Sequence, residues 1–144
     1  MTIALAVDTS AIVAILTEEP EASALKAILD ACPLNHCSTV AFLEAFMVLS
    51  SRVAHLKVGG LQDALQTLAI TQYSVDAQQS ALAAEAFLRF GKGRHPARLN
   101  LGDCFSYALA KSLNAPLLYK GDDFAKTDIV SAATTDAKTP DFMP

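Results

Sequence analysis

Residues 3–12, Ile3-Ala4-Leu5-Ala6-Val7-Asp8-Thr9-Ser10-Ala11-Ile12, run from an unbroken apolar stretch into a carboxylate and two hydroxyls and then turn apolar again. The apolar run from Ile3 to Val7 suits a central parallel strand buried on both faces and is far too short to cross a bilayer. Thr9 or Ser10 then suits the cap of a helix reaching Ile15 or Leu16. A strand that passes directly into a helix sets Asp8 at the strand's carboxyl end, where open α/β sheets keep their ligand crevices. What matters in the rest of the chain is which other acids the fold brings to that end.

A chain of 144 residues suits one domain, placed at residues 1–131, with residues 132–144 expected to form a poorly ordered tail. Hydrophobic residues make up 52% and charged residues 18%, a balance that excludes a disordered chain. The amino end lacks a basic region followed by a long apolar core, and Asp8 interrupts it early, so the expectation is a cytoplasmic protein with no membrane partner. Cys32, Cys37 and Cys104 are an odd number in a chain large enough to stand without bridges, which fits reduced thiols. Cys32, His36 and Cys37 lie close in sequence, but no second Cys/His pair follows at zinc-finger spacing, and they are taken as ordinary core or loop residues.

Helices and strands alternate along the chain. Pro20 opens a second helix through Leu25, Ile28 and Leu29, and residues 35–38 offer a short extended piece. Ser38 or Thr39 caps a long helix to about Val53, whose residues Val40, Leu43, Phe46 and Met47 recur at helical spacing and predict its core face. A helix from Leu61 to Leu68, a strand from Ile70 to Val75, a helix from Ala77 to Phe90 capped by Asp76, a helix capped by Asn100, and a short strand ending at Tyr119 follow. Residues 127–130 are a further edge-strand candidate. This order argues for a parallel sheet covered on both faces, an α/β/α sandwich.

Four acids stand out. Glu44 shares a helical row with Val40 and Val48, and a carboxylate on a core-facing row needs a paired base such as Arg52 or a lysine, or a bound cation, unless the face is less buried than the pattern suggests. Asp103 stands three residues after Asn100, as a capping box requires, yet Gly102 before it leaves room at the helix start for a close neighbour. Asp122 and Asp123 follow the last strand, either as a turn or as a repeat of the Asp8 geometry. The loop Gly91-Lys92-Gly93-Arg94-His95-Pro96-Ala97-Arg98 is basic in a chain of net charge −4, and it reads either as a solvated connection or as a contact for phosphate.

Taken in order, Val7-Asp8-Thr9-Ser10-Ala11, Glu44, Leu99-Asn100-Leu101-Gly102-Asp103-Cys104 and Lys120-Gly121-Asp122-Asp123-Phe124 with Thr127-Asp128 resemble a PIN domain, and within that superfamily the VapC toxins of toxin–antitoxin pairs. The resemblance implies a three-layer sandwich in which four acids meet at one end of a parallel sheet, and a metal-dependent endoribonuclease. Asp8, Glu44 and Asp103 match family positions, and Asp123, standing immediately before Phe124, is preferred over Asp122 as the fourth. Ser10 matches a supporting hydroxyl, and Lys92 and Arg94 become candidate RNA contacts. Clustered oxygen ligands suit Mg²⁺ or Mn²⁺, with Asp8 and Asp103 as direct ligands and Glu44 and Asp123 holding water or a second ion. The implied partners are an RNA substrate, a VapB-type antitoxin presenting a basic side chain to the acids, and a second copy in a homodimer. Two alternatives remain: a PIN-like interaction module without catalysis, and a haloacid-dehalogenase-like phosphatase, which needs an acid where Ser10 stands.

Overall fold

The structure, a computed structural model, describes residues 4–133. Four strands, β1 (Ala4–Val7), β2 (Leu34–Ser38), β3 (Ile70–Tyr73) and β4 (Leu117–Leu118), form one sheet in the order β3-β2-β1-β4, with every pairing parallel. Around it lie α1 (Thr9–Leu16), α2 (Ala22–Ala31), α3 (Thr39–Ser50), α4 (Val58–Thr67), α5 (Ala77–Phe90) and α6 (Leu101–Leu113).

The layers follow from strand alternation. Leu5, Val7 and Leu118 point into a core shared with α1 to α4, while Ala6 and Leu117 point into a second core closed by α5 and α6. Successive crossovers build outward from β1 to β3 with their helices on one face. The chain then returns past β1 to β4, and the same right-handed rule puts α5 and α6 on the opposite face. This is the predicted α/β/α sandwich. The reversal falls between β1 and β4, so a crevice opens at the carboxyl ends of those two strands, just where Asp8 and Lys120 emerge. The Asp8 N–H donates to the Leu118 carbonyl at 2.9 Å and ties the rims of the crevice together.

Several expectations are corrected. The cap of α1 is Asp8 itself rather than Thr9 or Ser10, since its side chain accepts the Ser10 N–H. The helix capped by Ser38 stops at Ser50, and its buried residues are Ala41, Ala45 and Leu49, whereas Leu43 and Met47 are exposed. Small alanines let α3 lie close to the sheet, with Phe46 packed partly buried against the same core, so of the bulky residues at helical spacing only Leu43 and Met47 mark its outer face. Residues 127–130 form no strand: Phe124–Lys126 is a 3₁₀ turn, Thr127 Oγ1 bonds back to the Phe124 carbonyl, and the chain regains the sheet only at a Ser131–Leu117 bridge. Ala132, assigned to the tail, is buried in the first core; residues 134–144 of that tail lie outside the described residues. His36 packs edge-on to Tyr73 at 5.6 Å, and Cys37 is buried in the first core, where desolvation pushes its thiol up to about 12. Among the described residues no helix is long and apolar enough to cross a membrane.

Candidate active site

A pocket of about 270 Å³ occupies the crevice, lined by Asp8, Thr9, Ser10, Val13, Glu19, Glu44, Val48, Asp103 and Lys120. Three of the four predicted acids and the predicted hydroxyl therefore meet, although α1, α3 and α6 bring them from positions up to 95 residues apart (103 − 8).

Asp8 is 3% exposed and uses its two oxygens differently. Oδ2 accepts from the Ser10 N–H at 3.0 Å and from Ser10 Oγ at 2.7 Å; Oδ1 is buried with no hydrogen-bond partner among the described residues. An unpaired buried carboxylate oxygen is costly, so this atom stands ready for a donor or cation supplied from outside the chain. Ser10 Oγ also accepts the Lys120 N–H at 2.9 Å, so one hydroxyl couples the end of β1 to the end of β4.

Glu44 projects from α3 and is half-buried. Arg52, a candidate partner by sequence, pairs with Glu19 instead, and Glu44 is held by Thr9 Oγ1, which donates to Oε1 at 2.7 Å. Gly102 explains how the carboxylate fits. A Cβ added there would stand 2.3 Å from Glu44 Oε1 and 2.6 Å from both Cδ and Oε2, so the glycine makes room for Glu44 across the α3–α6 contact.

Asp103 does two things at once. Its Oδ2 accepts the Asn100 N–H at 3.1 Å while its own N–H donates to Asn100 Oδ1 at 2.9 Å, which completes the predicted capping box and leaves Oδ1 outside it. Burial pushes the carboxyl up to about 7, and the charges of Asp8, Glu44 and Asp123 push the same way against the Asn100 hydrogen bond. Asp123 thus acts on the cluster from beyond the lining of the pocket, and Asp122 is not among the charges felt at Asp103. Lys92 and Arg94 do not line the pocket.

Sequence reasoning missed three contributors. Thr9 was considered only as a cap, and its position beside Asp8 at a strand-to-helix junction was the available signal. Glu19 and Lys120 form an ion pair on the wall of the pocket, with Arg52 also on Glu19 at 3.5 Å and Glu21 on Lys120 at 3.5 Å; their 101-residue separation left no local signal. Among the described residues no three Asp, Glu, His or Cys side chains converge tightly enough to enclose an ion by themselves, so the carboxylates ring an open pocket rather than a closed cage.

Residues 5–130 match the PIN domain family. The chain is 45% identical to a ribonuclease VapC of Mycolicibacterium smegmatis over 125 residues, which is 87% of this chain and 97% of the relative. It is 42% identical to ribonuclease VapC30 of Mycobacterium tuberculosis over 127 residues, 88% of this chain and 97% of that one. Its fold resembles the crystal structure of Mycobacterium tuberculosis VapC20, a sarcin–ricin loop cleaving toxin, with a TM-score of 0.70 at 18% identity over 88% of this chain and 96% of that one. A chain of a toxin–antitoxin complex from Klebsiella pneumoniae superposes with a TM-score of 0.64 at 18% identity, covering 89% of this chain and 97% of that one.

Proposed function

The chain belongs to the PIN-domain family, among its VapC ribonucleases, and from that premise we propose that it is a divalent-metal endoribonuclease, the toxin of a toxin–antitoxin pair, hydrolysing RNA at Asp8, Glu44, Asp103 and Asp123. The observation that carries the site assignment is the buried Oδ1 of Asp8, partnerless among the described residues, on a residue that lines a pocket with Glu44 and Asp103.

The donor set is all oxygen, which suits Mg²⁺ or Mn²⁺ rather than zinc. Mg²⁺ keeps several of its waters and takes only one or two carboxylates, so an open ring of acids fits it better than a tight cage would. When bound, the ion acidifies the attacking water and offsets charge growing on the phosphoryl oxygens. The chain's own residues do the rest. Ser10 fixes the rotation of Asp8 by holding Oδ2, which leaves Oδ1 unengaged, and the Lys120 N–H holds Ser10 in turn. Thr9 keeps the Glu44 carboxylate turned inward, where it can hold a water. Asp103 is pinned by its own helix start and offers Oδ1, while Asp123 adds charge behind it. In-line attack of water at phosphorus leaves a 5′-phosphate and a 3′-hydroxyl.

Lys92 and Arg94 are exposed cations on the loop that leads into α6, placed to contact RNA outside the pocket. The proposed VapB-type antitoxin inserts an Arg or Lys among the acids, and the exposed Leu43 and Met47 that flank Glu44 in sequence offer apolar contact beside that insertion. Action as a homodimer in the cytoplasm completes the reading. Purified protein incubated with a mixed RNA pool and Mg²⁺ or Mn²⁺ should cleave it, and Asp8→Asn should not. A wild-type protein that leaves RNA intact with either ion would instead support an interaction module that keeps the fold without the chemistry.

A further inference from the structure

Between Glu85 and Asp103 the chain carries Arg89, Lys92, Arg94 and Arg98 and no acid, in a protein whose net charge is −4. Arg89 is engaged by Asp128 at 3.5 Å, whereas Lys92, Arg94 and Arg98 are exposed and make no ion pair among the described residues. Their loop is built rather than slack. A bridge between Gly91 and Leu99 closes its base, with the Lys92 N–H donating to the Leu99 carbonyl at 2.9 Å and the Leu99 N–H to the Phe90 carbonyl at 3.0 Å. Ala97 and Leu99 are fully buried, and the His95 ring packs edge-on to Phe90 at 5.1 Å while its Nδ1 accepts the Ala97 N–H at 3.0 Å. Gly93 and Arg98 hold left-handed backbone, at φ +83° and +57°, so the loop keeps a conformation that an extended linker would not.

Beside the loop is a ring that the fold does not bury. Phe87 is 40% exposed and lies against the Gly91 backbone, where a Cβ would stand 2.4 Å from Cδ1 and 2.8 Å from Cε1. The Arg94 guanidinium sits over this ring, 5.2 Å from its centroid. An aromatic face and a guanidinium on one exposed site, with free cations beside them, are the parts with which proteins hold unpaired nucleotides.

We propose that Phe87 and Arg94 form a stacking shelf for an unpaired base of single-stranded RNA, with Lys92 and Arg98 holding the flanking phosphates. The proposal rests on the ribonuclease reading and names the form of its substrate. One end of the basic loop reaches the pocket's neighbourhood: Arg98 stands five positions before Asp103, a chain distance of at most about 17 Å, which a strand of a few nucleotides covers. A duplex fits poorly, because A-form RNA is recognised across about 16 base pairs and two minor grooves, and this chain offers one eight-residue basic loop. Since the loop is already ordered, little conformational entropy is lost when RNA binds.

The test is binding of a fluorescent single-stranded RNA 12-mer of mixed sequence to the full chain in EDTA, where cleavage does not intervene, with thermal melts confirming that each variant folds. Lys92→Ala/Arg94→Ala/Arg98→Ala should weaken binding more than about tenfold and flatten the dependence of log affinity on log salt by about 1.4, at roughly 0.7 for each of the two phosphate contacts on a single strand. Phe87→Ala should cost roughly tenfold, with Phe87→Tyr restoring most of the affinity. A duplex of the same length should bind at least about tenfold more weakly than the single strand. With metal present, the loop variants should raise KM and leave kcat at saturating RNA within about twofold. Unchanged affinity and salt slope in the triple variant, equal binding of the duplex, a loss confined to kcat, or no binding by the unaltered protein would each overturn the proposal. Failure of the ribonuclease reading shows separately, as absence of cleavage by the unaltered protein with Mn²⁺.

Discussion

Two sets of carboxylates share the walls of one pocket, and they are treated in opposite ways. Glu19 is met by Lys120, Arg52 and the Thr17 hydroxyl, and these partners hold its carboxyl below the usual carboxylate range despite some desolvation. Among the described residues Asp8, Glu44 and Asp103 have no cation: their partners are hydroxyls and backbone N–H groups, Asp8 keeps an oxygen unsatisfied, and Asp103 is pushed up to about 7. Arg52 was available in sequence to neutralise Glu44, and the fold directs it to Glu19. A chain optimised for stability alone would pair the buried acids first and leave the exposed ones to water. Here the buried Asp8 and the half-buried Glu44 and Asp103 are left without counter-charge among the described residues, while Glu19, itself only half-buried, is paired, which is the pattern of a site waiting for a cation from solution.

The largest effect expected from breaking this contrast is at Asp8. Asp8→Asn keeps an oxygen that can accept from Ser10, so the fold should hold, while the free carboxylate oxygen and its charge are lost. RNA cleavage should fall by about a thousandfold or more. The metal-free melting temperature should stay level or rise, because one member of a repelling cluster is neutralised. Mg²⁺ or Mn²⁺ should raise the melting temperature of the wild type and do so less in the variant. Equal metal shifts in both proteins would place the ion elsewhere.

Gly102→Ala probes the same cluster through shape rather than charge. Its methyl would overlap the Glu44 carboxylate, which must then leave the position Thr9 holds it in, so cleavage should drop by roughly tenfold to a hundredfold. Helix propensity favours alanine by up to about 1 kcal/mol, which offsets part of the strain, and the melting temperature should move little. An unchanged kcat would mean that Glu44 does not act from this place.

How much of this was legible in the sequence differs between the same two sets. Asp8, Asn100 and Asp103 were readable because their local roles, strand end and capping box, depend on neighbours a few residues away. The glycine before Asp103 was a sign of a close neighbour, but naming Glu44 as that neighbour needed the crossing of α3 and α6. The core face of α3 was legible at Phe46 but misplaced at Leu43 and Met47, because its alanines are small enough to face the sheet closely, which a search for bulky periodicity passes over. Thr127–Val130, a candidate edge strand, is turned away from the sheet by the turn that Thr127 itself makes and by Asp128, which is drawn to Tyr107 and Lys111. The Glu19–Lys120 pair was invisible because nothing local records a contact between residues so far apart.

Titration of the uncompensated set gives a smaller signal. Asp103 moves from 3.8 when unfolded to about 7 when folded and metal-free, chiefly through burial. A raised acid holds its proton more tightly in the folded chain, so its contribution is fully present below about pH 4 and is lost as pH rises through about 7. Without metal, the wild type should therefore be less stable at pH 8 than at pH 5 by about 1–2 kcal/mol once partial exposure is allowed for. Asp103→Asn, which retains an acceptor for the Asn100 N–H, should flatten that difference in melts at the two pH values. A wild type that gains stability from pH 5 to pH 8 without metal would show that the acids are compensated after all.

The smallest effect belongs to the paired set. Glu19→Gln removes the charge that Lys120 and Arg52 share, but both cations are partly exposed, Lys120 keeps Glu21 at 3.5 Å, and glutamine can still accept from Thr17. The Lys120 backbone N–H, which is what holds Ser10 and through it Asp8, is untouched by a side-chain change at Glu19. The melting temperature should move by about 2 °C or less, and cleavage at saturating RNA should stay within about threefold of wild type. The contrast with Asp8→Asn is the point of the experiment, since each substitution removes one carboxylate charge from the wall of the same pocket. If Glu19→Gln abolished cleavage as Asp8→Asn is expected to, net charge in the pocket would be the controlling quantity. The distinction between a carboxylate left free for a cation and one already paired would then lose its force.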